Sequence, residues 1–199
     1  MKKISGFFKA IGRYFKNFGV AFAKGDIWVK LSAVIMGAGY FARKQIVNGL
    51  IMLLVDAAFV LMCVGYAAPN LAKFGTLGTV KFEQVFDPLT MQTTTNNYDN
   101  SFQILLNSVV ALFIILIFVL FYIHNIKTVY KLQQMKEKGK HINTFKEDMK
   151  ALFNEKFHIT LLTLPTIGVV IMNILPILIL IAVAFTNYDQ QHLPPNSLF

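Results

Sequence analysis

Apolar positions run almost unbroken over three stretches, Ile46–Ala68, Phe102–Asn125 and Ile159–Thr186. A helix rises about 1.5 Å per residue, so each stretch is long enough to cross a hydrocarbon layer about 30 Å thick. Among Asp, Glu, Lys and Arg, only Asp56 falls inside them. A helix apolar on every side has no face for water. The pattern predicts an all-α integral membrane protein with three transmembrane helices.

Between the spans the pattern changes to an amphipathic one. Over residues 3–24, Ile4, Phe7, Phe8, Ile11, Phe15, Phe18 and Phe22 recur at steps of three and four, while Lys9, Arg13, Lys16 and Lys24 fall mostly between them. This predicts a helix lying in the headgroup layer, phenylalanines inward to lipid and lysines toward anionic headgroups. Gly25-Asp26 ends it. Leu31–Ala42 is apolar but only twelve residues long, bounded by Lys30 and by Arg43-Lys44. It is too short to span and reads as interfacial or re-entrant. Its Gly37-x-Gly39 follows no strand and carries no nucleotide signal.

The segment 69–101 holds Pro69, Gly75, Gly78 and Pro88 and then a polar run from Gln92 to Asn100, and reads as an irregular loop. In 126–158, Lys127–Lys140 continues the second span as a polar helix that stops near Gly139. Thr144-x-x-Glu147 has the spacing of a capping box. The apolar face of Phe145, Met149, Leu152 and Phe153 then predicts a short surface helix leading into span three. Pro165 and Pro176 remove backbone donors inside span three and are expected to bend it. Thr160, Thr163 and Thr166 stand near Pro165 to re-satisfy freed carbonyls.

Charge sets the orientation. Residues 1–45 hold nine Lys and Arg, 69–101 two, 126–158 eight and 187–199 none. That alternation places 1–45 and 126–158 in the cytoplasm, and 69–101 with the tail 187–199 outside, by the positive-inside rule. The net charge of +9 therefore reads as topology and attraction to anionic lipids, with no nucleic-acid module beside it. The segment before the first span is no signal peptide, because Lys9, Arg13 and Lys16 interrupt any apolar run. The single cysteine, Cys63, reads as a packed thiol in the first span.

Polar groups inside the spans are the candidate functional residues. Asp56 lies near the middle of span one and is expected to face protein or water. Asn173, at similar depth in span three, is its expected partner, giving structural glue; a proton or cation relay is the alternative reading of Asp56. Asn107 and Ser108, toward the outer end of span two, are expected to join helices by hydrogen bonds. No phosphate-binding lysine loop, His-Glu-x-x-His, Cys-x-x-Cys or nucleophile elbow occurs, and His124, His141, His158 and His192 are dispersed. No catalytic, cofactor or metal set is assembled, so if energy is consumed, another subunit must consume it.

The run Phe153–Pro195 carries Pro165, Pro176 and then Ala-Phe185-Thr186-Asn187-Tyr188-Asp189. It resembles the start of the permease core in MalF-type ABC sugar importers. Gly25–Ser32, Met36–Gly39 and Gln45–Gly49 also resemble Gram-positive maltodextrin permeases. The resemblance implies a multi-pass protein of the bacterial plasma membrane. It implies a second, MalG-like permease, two cytoplasmic ATPase subunits that use the ATP, and an extracellular sugar-binding lipoprotein. Sugar would pass by alternating access. No stretch resembling the family's EAA coupling loop occurs, so no sugar-contacting or ATPase-coupling residue carries over. The chain is expected to be the N-terminal part of such a permease, unable to translocate sugar by itself. A standalone three-span membrane scaffold is the alternative.

Overall fold

A computed structural model describes the backbone of residues 2–89 and 91–189, with side chains from residue 12 onward. The apolar face assigned to Ile4, Phe7, Phe8 and Ile11, and the tail beyond Asp189, lie outside what is described. The elements are α1 (Lys2–Lys24), α2 (Ile27–Leu31), α3 (Ala38–Phe41), α4 (Ile46–Met62), a π-helical turn (Cys63–Ala67), α5 (Ala68–Phe74), β1 (Gln84–Asp87), β2 (Gln92–Thr95), α6 (Ser101–Glu137), α7 (Phe145–Phe153) and α8 (Phe157–Ala184). Among the described residues, three helical runs are long and apolar enough to cross a membrane: Ile46–Phe74, Ser101–Glu137 and Phe157–Ala184.

The first run passes the boundary set from the sequence at Ala68. Pro69 lacks a backbone donor and its ring crowds the carbonyl four residues earlier. The helix widens into the π turn Cys63–Ala67 just before it, and Pro69 then sits in the opening turn of α5. The same loop departs again from its expected irregularity: β1 and β2 pair antiparallel, Gln84 opposite Thr95 and Asp87 opposite Gln92.

The chain folds as two compact units, Met1–Val60 with Ile117–Leu161, and Leu61–Leu116 with Leu162–Phe199. In the first, Ala21, Val29, Tyr40, Ile126 and Val129 form the core, with Phe18, Met52, Tyr122 and Tyr130 packed around it. Phe59 stacks on Phe118 with ring centroids 3.5 Å apart. The apolar stripe of α1 is thereby divided. Phe18 and Ala21 join this core, whereas Phe15 and Phe22 stay exposed. Lys127 also sits over the Tyr14 ring, 3.6 Å from its centroid.

The second unit has a smaller core of Leu77, Ile104 and Leu105, with Phe74, Ala182 and Val183 against it. Its loop is tied by Asp99, which accepts from Lys73 Nζ at 2.7 Å and from the N–H groups of Thr79 and Val80 at 3.0 and 3.2 Å. The Lys73 bond, then the two backbone donors, pull the Asp99 carboxyl down to about 2.

The turn before α7 follows the spacing read from the sequence. The Glu147 N–H donates to Thr144 Oγ1, and the Thr144 N–H donates to Glu147 Oε2 at 2.7 Å. That N–H, and after it His141, lower the Glu147 pKa. Gly139 takes φ +61° two residues beyond the end of α6, the left-handed stop that glycine makes cheaply.

Candidate functional site

The segment 31–42 is not one helix. It is the end of α2, a turn and the short α3, laid along the first turns of α4. Asp26 caps α2, accepting from the Val29 N–H at 2.8 Å. From there the odd geometry of the turn is set by two glycines. Gly37 takes φ +109°, and a Cβ on it would strike the Gly49 carbonyl. A Cβ on Gly39 would strike Val129 and lie 2.6 Å from Ser32 Oγ. The Gly-x-Gly that carries no nucleotide signal is therefore a close-packing device. It brings a turn against α4 on one side and α6 on the other.

Backbone groups in such a turn have lost their helical partners and must find others away from water. Two side chains from the spans supply them. Asp56 Oδ2 on α4 accepts from the Met36 N–H at 3.2 Å. Tyr122 Oη on α6 donates to the Ala33 carbonyl at 2.7 Å. Within the turn, Ser32 Oγ accepts from the Gly39 N–H at 2.6 Å and donates to the Trp28 carbonyl at 3.0 Å. The inward residues Val29, Ser32 and Met36 are fully buried, while Ile27 and Val34 are 80% and 76% exposed. Trp28, Leu31 and Ile35 complete that outer apolar face. A turn whose Met36 N–H and Ala33 carbonyl are taken up by α4 and α6, and whose outer side is largely apolar, suits a place beside lipid.

Its base is locked by an ion pair. Arg43 Nη2 donates to Asp26 Oδ2 at 3.1 Å and Nη1 to the Gly39 carbonyl at 2.6 Å. The Arg43 side chain is 2% exposed and that of Asp26 37%. The Asp26 N–H in turn donates to Gln133 Oε1 on α6 at 2.9 Å. Further along, Gln45 Nε2 donates to the Asn143 carbonyl, fastening the start of α4 to the loop before α7. A cleft of about 620 Å³ lies between α4, α6 and α7, with Asn48, His124, Thr128, Lys131 and Asp148 on its walls. Asn125 beside it is 2% exposed, and neither its amide nitrogen nor its oxygen has a partner.

The other polar residues singled out from the sequence make separate arrangements. Asn107 Oδ1 accepts from Tyr66 Oη at 3.3 Å. Ser108 Oγ donates to the Asn70 carbonyl at 3.0 Å, and Asn70 Nδ2 to the Tyr66 carbonyl at 2.7 Å. Through the Tyr66 and Asn70 contacts, Asn107 and Ser108 tie α6 to the helix around the π turn. Asn173 Nδ2 bonds back to the Val169 carbonyl in its own helix at 2.7 Å, and the residue is exposed. α8 runs continuously through Pro165 and Pro176. Thr160 Oγ1 serves the Leu152 and Lys156 carbonyls, at 2.9 and 3.3 Å, instead of those freed near Pro165. In the signature, Thr186 Oγ1 donates to the Val183 carbonyl at 2.7 Å and closes the end of α8. Phe185 is 87% exposed, Asn187 ends the turn, and Tyr188 and Asp189 follow it.

Sequence reasoning missed Met36 as the partner of Asp56, because that partner is a backbone N–H with no residue type to mark it. It also missed Tyr122, Arg43 and Gln45. Among the described residues, no group of three His, Cys, Asp or Glu side chains is placed to hold a metal ion.

The sequence is similar to those of known proteins. The chain is 33% identical over 169 residues to the maltodextrin transport system permease protein MdxF of Bacillus subtilis, covering 84% of this chain and 35% of that protein. It is 31% identical over the same shares to the maltodextrin transport system permease protein MalC of Streptococcus pneumoniae. It is 27% identical to the galactooligosaccharides transport system permease protein GanP of Bacillus subtilis, over 84% of this chain and 37% of that protein. The chain thus spans about a third of the length of the curated relatives it matches. No family model and no solved structure matches it. The resemblance carried by residues 153–195 and 25–49 agrees with these relatives: the chain is homologous to permease proteins of sugar transport systems.

Proposed function

We propose that the chain is the N-terminal, membrane-embedded portion of the permease subunit of an ABC importer for carbohydrate, of the maltodextrin or a related oligosaccharide class. The observation that carries this reading is the match of 84% of the chain to maltodextrin permeases at 31–33% identity, in a chain with three helices suited to cross a membrane. In this reading the three spans lie in a bacterial plasma membrane, with 1–45 and 126–158 cytoplasmic. They brace a permease core that pairs with a second, MalG-like permease. Two cytoplasmic ATPase subunits consume the ATP, and an extracellular sugar-binding lipoprotein delivers the sugar. The chain holds no cofactor and performs no catalysis.

The residues described above then have a mechanical role. The turn 32–37, pinned by Asp56 and Tyr122, stiffens the inner halves of α4 and α6, so that they move as one body during alternating access. The test is uptake of labelled maltodextrin by cells whose copy of this gene is disrupted, with glucose uptake as control. Selective loss of oligosaccharide uptake, restored by the intact gene, supports the reading. Unchanged uptake of every oligosaccharide tried, with no ATPase co-purifying, overturns it in favour of a standalone scaffold.

A further inference from the structure

At the start of α4 lies a second cleft of about 460 Å³ between the α3–α4 corner and the start of α7. Its charged lining is cationic, beside the neutral Gln45, Asn48, Asn143 and Thr144. Arg43, Lys44 and Lys146 border it, and among the described residues no carboxylate does. Glu147 is turned instead into the capping box and toward His141.

The opening turn of α4 contributes a second positive element. The Gly49 N–H is the first to find its acceptor, the Gln45 carbonyl, so those of Ile46, Val47 and Asn48 precede the helical ladder. A helix start of this kind attracts anions. Gln45 is committed to the Asn143 carbonyl through Nε2 and does not cap it. A further observation is independent of the helix terminus. Two side chains bordering the cleft are at least nine-tenths buried and hold atoms without partners, Arg43 Nε and Gln45 Oε1. One is a charged donor and the other an acceptor.

The remaining wall is apolar, with Ile46 and Phe145, and it opens onto an exposed stripe of Ile46, Leu50 and Leu54 along α4. Fixed positive charge beside a greasy track matches an amphiphile carrying a phosphate better than a soluble anion.

We propose that this cleft is a binding site for the headgroup of an anionic phospholipid, with the phosphate at Lys44, Lys146 and the α4 N-terminus, a headgroup hydroxyl toward Gln45, and an acyl chain along Ile46–Leu54. The site is independent of the transport reading and requires only that α4 lie in a bilayer.

The full chain, equilibrated in neutral detergent with equal phosphatidylglycerol and phosphatidylcholine, is read by native mass spectrometry for lipid retained per chain. Phosphatidylglycerol is retained preferentially. The double variant Lys44→Gln/Lys146→Gln weakens that preference about tenfold or more, whereas Lys138→Gln/Lys140→Gln, which removes equal charge outside the cleft, leaves it within about twofold. Lys146→Gln alone gives an intermediate loss and serves if the double variant does not fold. Equal loss in the two double variants overturns the site in favour of diffuse charge attraction. Displacement of the lipid by millimolar inorganic phosphate overturns it in favour of a soluble-anion site, and absence of any preference overturns it outright.

Discussion

Asp56 accepts a hydrogen bond from the Met36 backbone N–H at 3.2 Å, joining a carboxylate in the first apolar helix to the middle of a turn twenty residues earlier. The link accounts for an acidic residue inside an apolar run. The carboxylate serves a backbone group that has neither water nor a helical acceptor. Replacing Asp56 by Leu leaves that N–H unsatisfied, at a cost of about 1–3 kcal/mol. Asp56→Asn retains an acceptor and costs less. Thermal unfolding in detergent, with hydrogen exchange at Met36, measures both. Equal stability of the Leu variant and unchanged exchange at Met36 would contradict the role.

Gly37 offers a sharper test of the same turn. Its φ of +109° and the Gly49 carbonyl beside it leave no room for a methyl group. Gly37→Ala is expected to destabilise by about 1–3 kcal/mol. Gly168→Ala, in open space on α8, should be neutral or raise stability by up to about 1 kcal/mol. Similar shifts in the two unfolding curves would mean that the turn is not packed as described.

The spans themselves were legible in the sequence because length and apolarity decide them without reference to any partner. So were the capping box at Thr144 and the stop at Gly139, which depend on local spacing. What escaped were relationships between distant positions. The donor that Asp56 takes is the Met36 backbone N–H, which no residue type marks in the sequence. The helix beyond Ala68 was obscured by Pro69, which reads as a breaker unless the π turn ahead of it is known. The hairpin Gln84–Thr95 lacks the apolar alternation that marks a strand, because almost all of it is exposed.

The Asp26–Arg43 pair should be costly to break from one side only. Asp26→Ala leaves the buried Arg43 guanidinium without its carboxylate and α2 without its cap. Loss of one partner of a buried pair costs about 3–5 kcal/mol, and the partial exposure of Asp26 puts this case toward the lower end. Denaturant unfolding of the variant checks it; a change under about 0.5 kcal/mol would show the pair to be incidental.

Asp99 makes the outer loop sensitive to acid. Its pKa falls from an ordinary 3.8 to about 2 in the folded chain. A lowered carboxylate pKa contributes stability above the unfolded value and loses it as pH falls through the folded one. Exchange protection at Thr79 and Val80 should therefore hold above about pH 4 and fade between about 4 and 2. In Asp99→Asn that pH dependence should disappear. Persistence of the same acid transition in Asp99→Asn would assign it to another group.

Asn125 carries a buried amide with no partner, so Asn125→Leu should leave the isolated chain as stable or more stable. A loss above about 1 kcal/mol would show that the amide is engaged.

The most direct test of the central claim is which side of the membrane each basic segment occupies. In a Cys63→Ala background, Lys138→Cys and Gln92→Cys are probed with a membrane-impermeant maleimide in intact cells. The account predicts labelling of Gln92→Cys at once and of Lys138→Cys only after permeabilisation. Labelling of Lys138→Cys in intact cells would contradict the orientation.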